Sequence, residues 1–362
     1  MTTTLLTVVC TTLLGMEPEP TTQRYLYVAC PGIRNYLEFG GHGLLVFDID
    51  HNHRFVKRIP TAGKDDNGTP VNVKGVCASA HTRRITISTI HALQSIDLVT
   101  EQVVWEKRYD GGCDRMAISP DGRLLYVPSF EKNHWHAIDG LTGDVLARIE
   151  PQPGAHNTVF GLDGTKVYLA GLRSSVLKIV DPQTHHFVGE CGPFSQSIRP
   201  FTINGRQTLC FVNVNELLGF EIGDLTTGKK LQRVEVEGFA RGPVKRHGCP
   251  SHGIGLTPDE KEVWVCDAHN QRLHIFDVTS LPPRQVASLA VREEPGWITF
   301  SLDGRYAYPS TGDVFDVATR QLVAQLADEH GTAVHSEKMV EIHFADGKPV
   351  RTGDQFGLGR VR

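Results

Sequence analysis

Apolar positions along this chain fall in short runs that stop at turn residues, and the runs favour β-branched and aromatic side chains. Leu124-Leu125-Tyr126-Val127, Val167-Tyr168-Leu169 and Val263-Trp264-Val265 are examples. Runs of that length, bounded by Gly, Pro, Asp and Asn, predict strands. Several are joined by Asp121-Gly122, Asp163-Gly164, Asn204-Gly205 and Asp303-Gly304, with Asp259-Glu260 standing in once. Such dipeptides favour tight hairpins because Asn, Asp and Gly tolerate positive φ. Helix-favouring runs are hard to find, so the pattern predicts an all-β protein.

The runs repeat as a unit. Each has a strand, an Asp-Gly-like turn, a second strand, a third strand ending in Asp, a turn often holding Thr, and a fourth strand. The third-strand carboxylate marks the period: Phe47-Asp48, Ile96-Asp97, Ile138-Asp139, Val180-Asp181, Phe220-Glu221, Phe276-Asp277 and Phe315-Asp316. An Asp there accepts hydrogen bonds from the amides of its own turn. The first unit starts at its second strand, Tyr25-Leu26-Tyr27-Val28. Its missing strand lies at the other end, in Met339–Phe344 followed by Asp346-Gly347. The expected fold is a seven-bladed β-propeller over residues 23–362, its ring closed by the C-terminal strand completing blade one. Closure removes unpaired strand edges.

Ser119-Pro120-Asp121-Gly122-Arg123-Leu124-Leu125-Tyr126-Val127 and Thr257-Pro258-Asp259-Glu260-Lys261-Glu262-Val263-Trp264-Val265 resemble the repeats of YVTN-type, YncE-like propellers. Those are related to the cytochrome d1 propeller and to lactonase-type seven-bladed propellers. The resemblance extends over residues 23–350. It implies the fold and little about function, because the repeated residues are structural. A d1-type relative would need a haem-binding His, and the sequence singles none out. The lactonase-type propellers offer no universal motif to match.

A length of 362 residues suggests two ordinary domains, but each added blade extends one architecture. Lys and Arg number 37 against 41 Asp and Glu, a net charge of −4, and the densest basic piece is Val244-Lys245-Arg246-His247. Nucleic-acid binding needs a concentrated basic surface and is set aside. No apolar stretch reaches about 18 residues, so no membrane span is expected. Residues 1–22 read as a signal segment and linker. Leu5–Gly15 resembles an h-region, although no Lys or Arg precedes it and Thr7-Val8-Val9 before Cys10 lacks the small residues of a lipoprotein site. A tail or outer strand is the competing reading. The signal reading implies an extracytoplasmic location, with the cytoplasm as the alternative. The eight cysteines form no CxxC or CxxCH, and Cys30, Cys210 and Cys266 near strand ends read best as buried thiols.

In a propeller the first strands line the channel, and the residues opening them gather at one mouth. Around the ring these are Lys74-Gly75, Asp114-Arg115, His156-Asn157, Arg199-Pro200, Ser251-His252, Gly296-Trp297 and Glu337-Lys338. Structural turns do not need this set. Arg115, His156, Arg199, His252, Trp297 and Lys338 are therefore the candidate ligand-binding residues. Arg115, Arg199 and the two His suit an anionic group, since Arg presents a fork of donors. His156 and His252, with His247, suit a metal if three or more ligands converge. Either His also suits a general base. Alternatively these groups only hydrogen-bond one another and channel water. Because Arg115 and Arg199 precede strands, they are expected to carry affinity and not packing.

The long loop Ala29–Gly43, with Arg34, Tyr36, Glu38 and His42, is expected on the mouth face, either as a lid or as a plain surface loop, and the insert Phe239–Pro250 leads into Ser251-His252 as a candidate second flap. No GxSxG, phosphate loop, HExxH or haem-attachment motif is present. The leading expectation is a binding or scaffold protein recognising a small, anionic molecule or a protein partner at the mouth. The alternative is a propeller enzyme, a lactonase-like hydrolase or a quinoprotein or d1-like redox protein. No cofactor or metal is assigned.

Overall fold

Each repeated unit forms an antiparallel sheet, and seven sheets stand around a central axis. The computed structural model describes residues 22–61, 63–150 and 153–361. The signal-segment reading, with Cys10, lies outside the described residues. The innermost strands of blades two to seven are Val73–Ser79, Ala117–Ile118, Ala155–Phe160, Ile198–Ile203, Ser251–Leu256 and Ile298–Phe300. Three more strands follow outward in each blade. Among the described residues the one helical element is the 3-10 turn Ile49–His51.

Ring closure is as expected. Met339–Ala345 is the inner strand of blade one and pairs with Gln23–Cys30, setting Tyr25 opposite Ile342 and Tyr27 opposite Val340. The Asp346-Gly347 hairpin then leads to a fifth strand, Lys348–Thr352, on the channel side of Met339–Ala345. The chain beyond it stays inside the ring. Gln355 accepts from the Val76 amide at 3.1 Å and donates to the Met116 carbonyl at 2.8 Å. The Leu256 amide donates to Gly357 O, Gly359 N to Ile203 O, and Arg360 N to Pro258 O. Phe356 and Leu358 join the apolar cluster of blades three to five. A Cβ on Gly357 would sit 2.9 Å from the Gly255 Cα, so a glycine is what lets the tail lie against blade six. The tail thus corks the channel at the face carrying the Asp-Gly hairpins.

The core lies between blades. One cluster joins Tyr27, Val46 and Val340 of blade one to Val76, Ile85 and Ile96 of blade two. Another joins Leu26 and Phe47 to Tyr308, Val314 and Leu326 of blade seven. Inner and middle strands are covered on both faces, which is why Gly43–Asp48 reads as an unbroken apolar run. The outermost strands, such as Val103–Arg108, are largely exposed.

The third-strand Asp closes its turn as expected: Asp97 Oδ1 accepts from Val99 N and Thr100 N at 2.9 Å each, and Asp139 does the same for Leu141 and Thr142. Blade five corrects one register. Its turn is closed by Asp224, which accepts from Thr226 N and Thr227 N. Glu221 lies mid-strand, fully buried, accepting from Ser195 N at 2.8 Å. The longer carboxylate reaches a neighbouring backbone amide, whereas the turn geometry needs the short arm of Asp.

Candidate functional site

A recurring backbone irregularity places the mouth residues. The pairing register of the inner strand shifts between Val73 and Gly75, Ala155 and Asn157, Ile198 and Phe201, and Ser251 and Ile254. Each shift falls on the residue that the ring alignment singled out: Lys74, His156, Arg199 and His252. A bulge at a strand start re-aims side chains and ends pairing locally. Arg115, Trp297 and Lys338 sit just ahead of their inner strands.

These side chains form a buried charged network. Arg115 is 2% exposed and donates from Nη2 to Glu337 Oε2 at 2.8 Å. Lys338, equally buried, donates from Nζ to the same oxygen at 2.7 Å and to Gly32 O at 2.9 Å. His247 Nδ1 stands 3.1 Å from Glu337 Oε1. The Arg115 guanidinium carbon lies 3.5 Å from the Trp297 ring centroid, and the Trp297 indole N–H donates to Gln355 O of the tail at 2.5 Å. On the other side His156 Nδ1 pairs with Asp114 Oδ2 at 2.6 Å, and Lys74 Nζ faces Asp114 Oδ1 at 3.5 Å. His252 Nδ1 donates to Gly296 O at 2.7 Å.

Five of the six candidates therefore come together: Arg115, His156, His252, Trp297 and Lys338. Arg199 stands apart. It is half-buried and braces the flap, donating from Nε to Asn215 Oδ1 at 2.6 Å and from Nη2 to Gly248 O at 2.8 Å. The expectation that Arg115 makes no packing contribution is corrected. It is sealed between the Glu337 carboxylate and the Trp297 ring, with flap residue His247 on Glu337 and the tail residue Gln355 bonded to the adjoining Met116 carbonyl and to the Trp297 indole.

Both insertions do lie over this mouth, and they touch. Arg34 Nη2 donates to Arg246 O at 2.7 Å. Arg246 packs its guanidinium 5.5 Å from the Tyr36 ring centroid and 5.7 Å from that of Phe39, and pairs with both oxygens of Glu293. Phe39 stacks on His335 at 4.4 Å. A Cβ on Gly296 would meet the His247 ring at 2.2 Å and Glu337 Oε1 at 2.6 Å, so only glycine admits the flap histidine here.

Protonation follows from burial. Burial opposes charge on Asp114, but His156, Lys74 and Arg115 outweigh it and hold the carboxyl at about 2. Glu337 is likewise held well below the usual range: burial opposes this, and Lys338, His247 and Arg115 overcome it. Burial pushes Lys338 down to about 7, against the pull of Glu337. It also pushes His252 well below the ordinary histidine value and lowers His156 despite Asp114. The network thus holds two fixed carboxylates, one guanidinium and an amine poised near neutrality.

Not every buried polar atom is used. Arg115 Nε and Nη1, both side-chain atoms of Asn157, and Asn213 Oδ1 are buried without a hydrogen-bond partner. Asn213 lies beside the site, since its Nδ2 donates to His252 O at 2.9 Å. The sequence singled out neither Asn213 nor the tail residue Gln355. Both reach the region from segments outside the inner-strand starts, where no repeat marks them. Elsewhere His53 is buried, and its ring nitrogen lies 3.0 Å from the Tyr308 hydroxyl.

No protein-family model matches the chain, and no curated protein is significantly similar to it.

Proposed function

We propose that this chain is a YVTN-type, YncE-like propeller that acts as a binding protein, recognising a small anionic ligand at the flap-covered mouth. The observation that carries the reading is Arg115. Its guanidinium is buried, stacked on Trp297 and paired through one nitrogen, while Nε and Nη1 lack partners. A buried donor without an acceptor costs about 1–3 kcal/mol, and an oxyanion on the free edge of the guanidinium removes that cost. Lys338 and Lys74 add positive charge around the same point. The apolar run Leu5–Gly15 supports an extracytoplasmic location for this binding role.

The test is a thermal-shift and calorimetric screen of small carboxylates and phosphate esters against the parent protein and Arg115→Lys. Lysine keeps the charge and loses the fork. At least one anion should stabilise the parent and bind Arg115→Lys at least about tenfold more weakly. Absence of binding across the panel, or equal binding by the variant, refutes the reading.

A hydrolase reading has one observation in its favour, the Lys338 amine held at about 7, which suits proton transfer near neutral pH. Hydrolysis of lactone or ester probes that is lost in Lys338→Met would favour it over simple binding.

A further inference from the structure

We propose that His247, His252 and Glu337 form a binding site for a divalent transition-metal ion of the Zn²⁺ class. One ligand atom from each lies within 4.8 Å of the others, at the flap, the inner strand of blade six and the entry to blade one. Two imidazoles and one carboxylate are a donor set that Zn²⁺ favours, with one position left for water or a ligand oxygen. This site uses atoms that the anion reading does not: the imidazole nitrogens and Glu337 Oε1, whereas the free guanidinium edge belongs to Arg115.

Hydrogen bonds around the imidazoles fix which nitrogens are available. His252 gives its Nδ1–H to Gly296 O at 2.7 Å, which leaves Nε2 with its lone pair. His247 directs Nε2 at Glu294 O, 3.4 Å away, which leaves Nδ1 facing Glu337 Oε1 at 3.1 Å. Both acceptors come from the single segment Glu294–Gly296. Metal-ligating histidines characteristically hand their second N–H to a carbonyl or carboxylate, which sets tautomer and ring orientation. With its hydrogen on Nε2, His247 presents a bare Nδ1 to a carboxylate oxygen 3.1 Å away, two acceptors that need a proton or a metal ion between them; with its hydrogen on Nδ1, the ring donates to Oε1 directly. A proton would give a simple ion pair. The third donor, His252 Nε2, is what a metal ion uses and a proton does not.

Glu337 is prepared for the role. Arg115 and Lys338 both bind Oε2, so Oε1 stays free to ligate and the carboxylate is held ionised and oriented. Tetrahedral ligands about 2.0–2.2 Å from Zn²⁺ stand about 3.4 Å apart, close to the His247–Glu337 separation already in place. Gly296 gives the ring and the carboxylate room to meet, since a Cβ there would occupy the space of both.

The experiment uses the full chain, stripped with a chelator and titrated with Zn²⁺ by calorimetry and with Co²⁺ by visible absorption. One equivalent per chain is expected, with a Co²⁺ spectrum of low coordination number. His247→Gln, which lies on the flap outside every strand, should weaken binding by about a hundredfold or more, beyond the 10–100-fold loss of an outer-shell contact. His252→Gln and Glu337→Gln should do the same wherever they still melt cooperatively. Replacing the exposed His330 should change nothing. No stoichiometric binding of either ion would show that a proton alone bridges His247 and Glu337 and would overturn the proposal. So would one-equivalent binding that survives in His247→Gln.

Discussion

Arg115 sits over the indole of Trp297, its guanidinium carbon 3.5 Å from the ring centroid. Because the same indole donates to Gln355 O, this one contact ties the charged mouth to the C-terminal plug. A cation on an aromatic face in a dry site contributes about 2 kcal/mol or more, and the Glu337 pair adds to it.

Arg115→Ala should therefore destabilise the protein by about 3–5 kcal/mol, the range for breaking a buried ion pair. The lower end is expected because Lys338 and His247 still face Glu337. In urea unfolding, Arg115→Met combined with Glu337→Gln should cost clearly less than the two single changes added together. Strict additivity would mean that the pair does not act as a unit.

Stability should rise with pH. Lys338 is lowered to about 7 in the fold, so between about 7 and its ordinary value near 10.5 the unfolded chain holds a proton that the folded chain has released. Folding is therefore favoured as pH climbs from about 7 toward about 9; above that, buried thiols such as Cys30 and Cys249, raised to about 12, ionise first in the unfolded chain and reverse the trend. Asp114 and Glu337 are lowered too. Their contribution is present above the ordinary carboxylate range and lost as pH falls toward their folded values, near 2 for Asp114. Denaturation midpoints followed from pH 3 to about pH 8.5 should show both trends, and Lys338→Met should flatten the one above pH 7. A parent protein most stable at acid pH would contradict this charge assignment.

Truncation should separate ring closure from the plug. Ending the chain before Met339 removes the strand that pairs with Gln23–Cys30, and the exposed edges should aggregate. Ending it after Gly347 keeps that strand and removes only Lys348–Thr352 and the tail. That shorter loss should leave a monomer that unfolds cooperatively at a lower temperature, measurable by gel filtration and a thermal melt. Two truncations that behave alike would mean that the tail is part of closure.

The flap should depend on Gly296. Gly296→Ala leaves no space for the His247 ring, so the segment carrying Lys245 and Arg246 should lift. Trypsin should then cut there in the variant while sparing the parent under the same conditions. Equal resistance would mean that the flap is held by the Arg246–Glu293 pair alone.

The seven described cysteines are all free and buried, and burial pushes Cys30 and Cys249 up to about 12. They should stay silent to a thiol reagent until the protein unfolds.

The blade count, the closing strand and the mouth residues were legible because each repeats at a fixed place in the unit, and an Asp-Gly hairpin or a terminal Asp is chemically hard to replace. Glu221 misled for the same reason: it mimics the ruler residue, whereas Asp224 three positions later does the ruler's work. The plug was not legible. Gln355 and Phe356 belong to no repeat, and what holds them are backbone groups of strands far away in sequence. The burial of Arg115 was missed as a consequence, since it depends on that plug and on a flap whose path no local pattern dictates.

The closing strand also sets an order of events. The Ser336 hydroxyl donates to Ala29 O across 307 residues of chain, so blade one is incomplete until almost everything else has been made. Bringing such distant segments together carries a loop-closure entropy that local hairpins escape. Blades two to seven can form from neighbours as they emerge, while the edge of Gln23–Cys30 waits unpaired throughout synthesis. The step that finishes the ring therefore waits until Met339–Ala345 has been made, and the hazard of intermolecular pairing is concentrated in the interval before it.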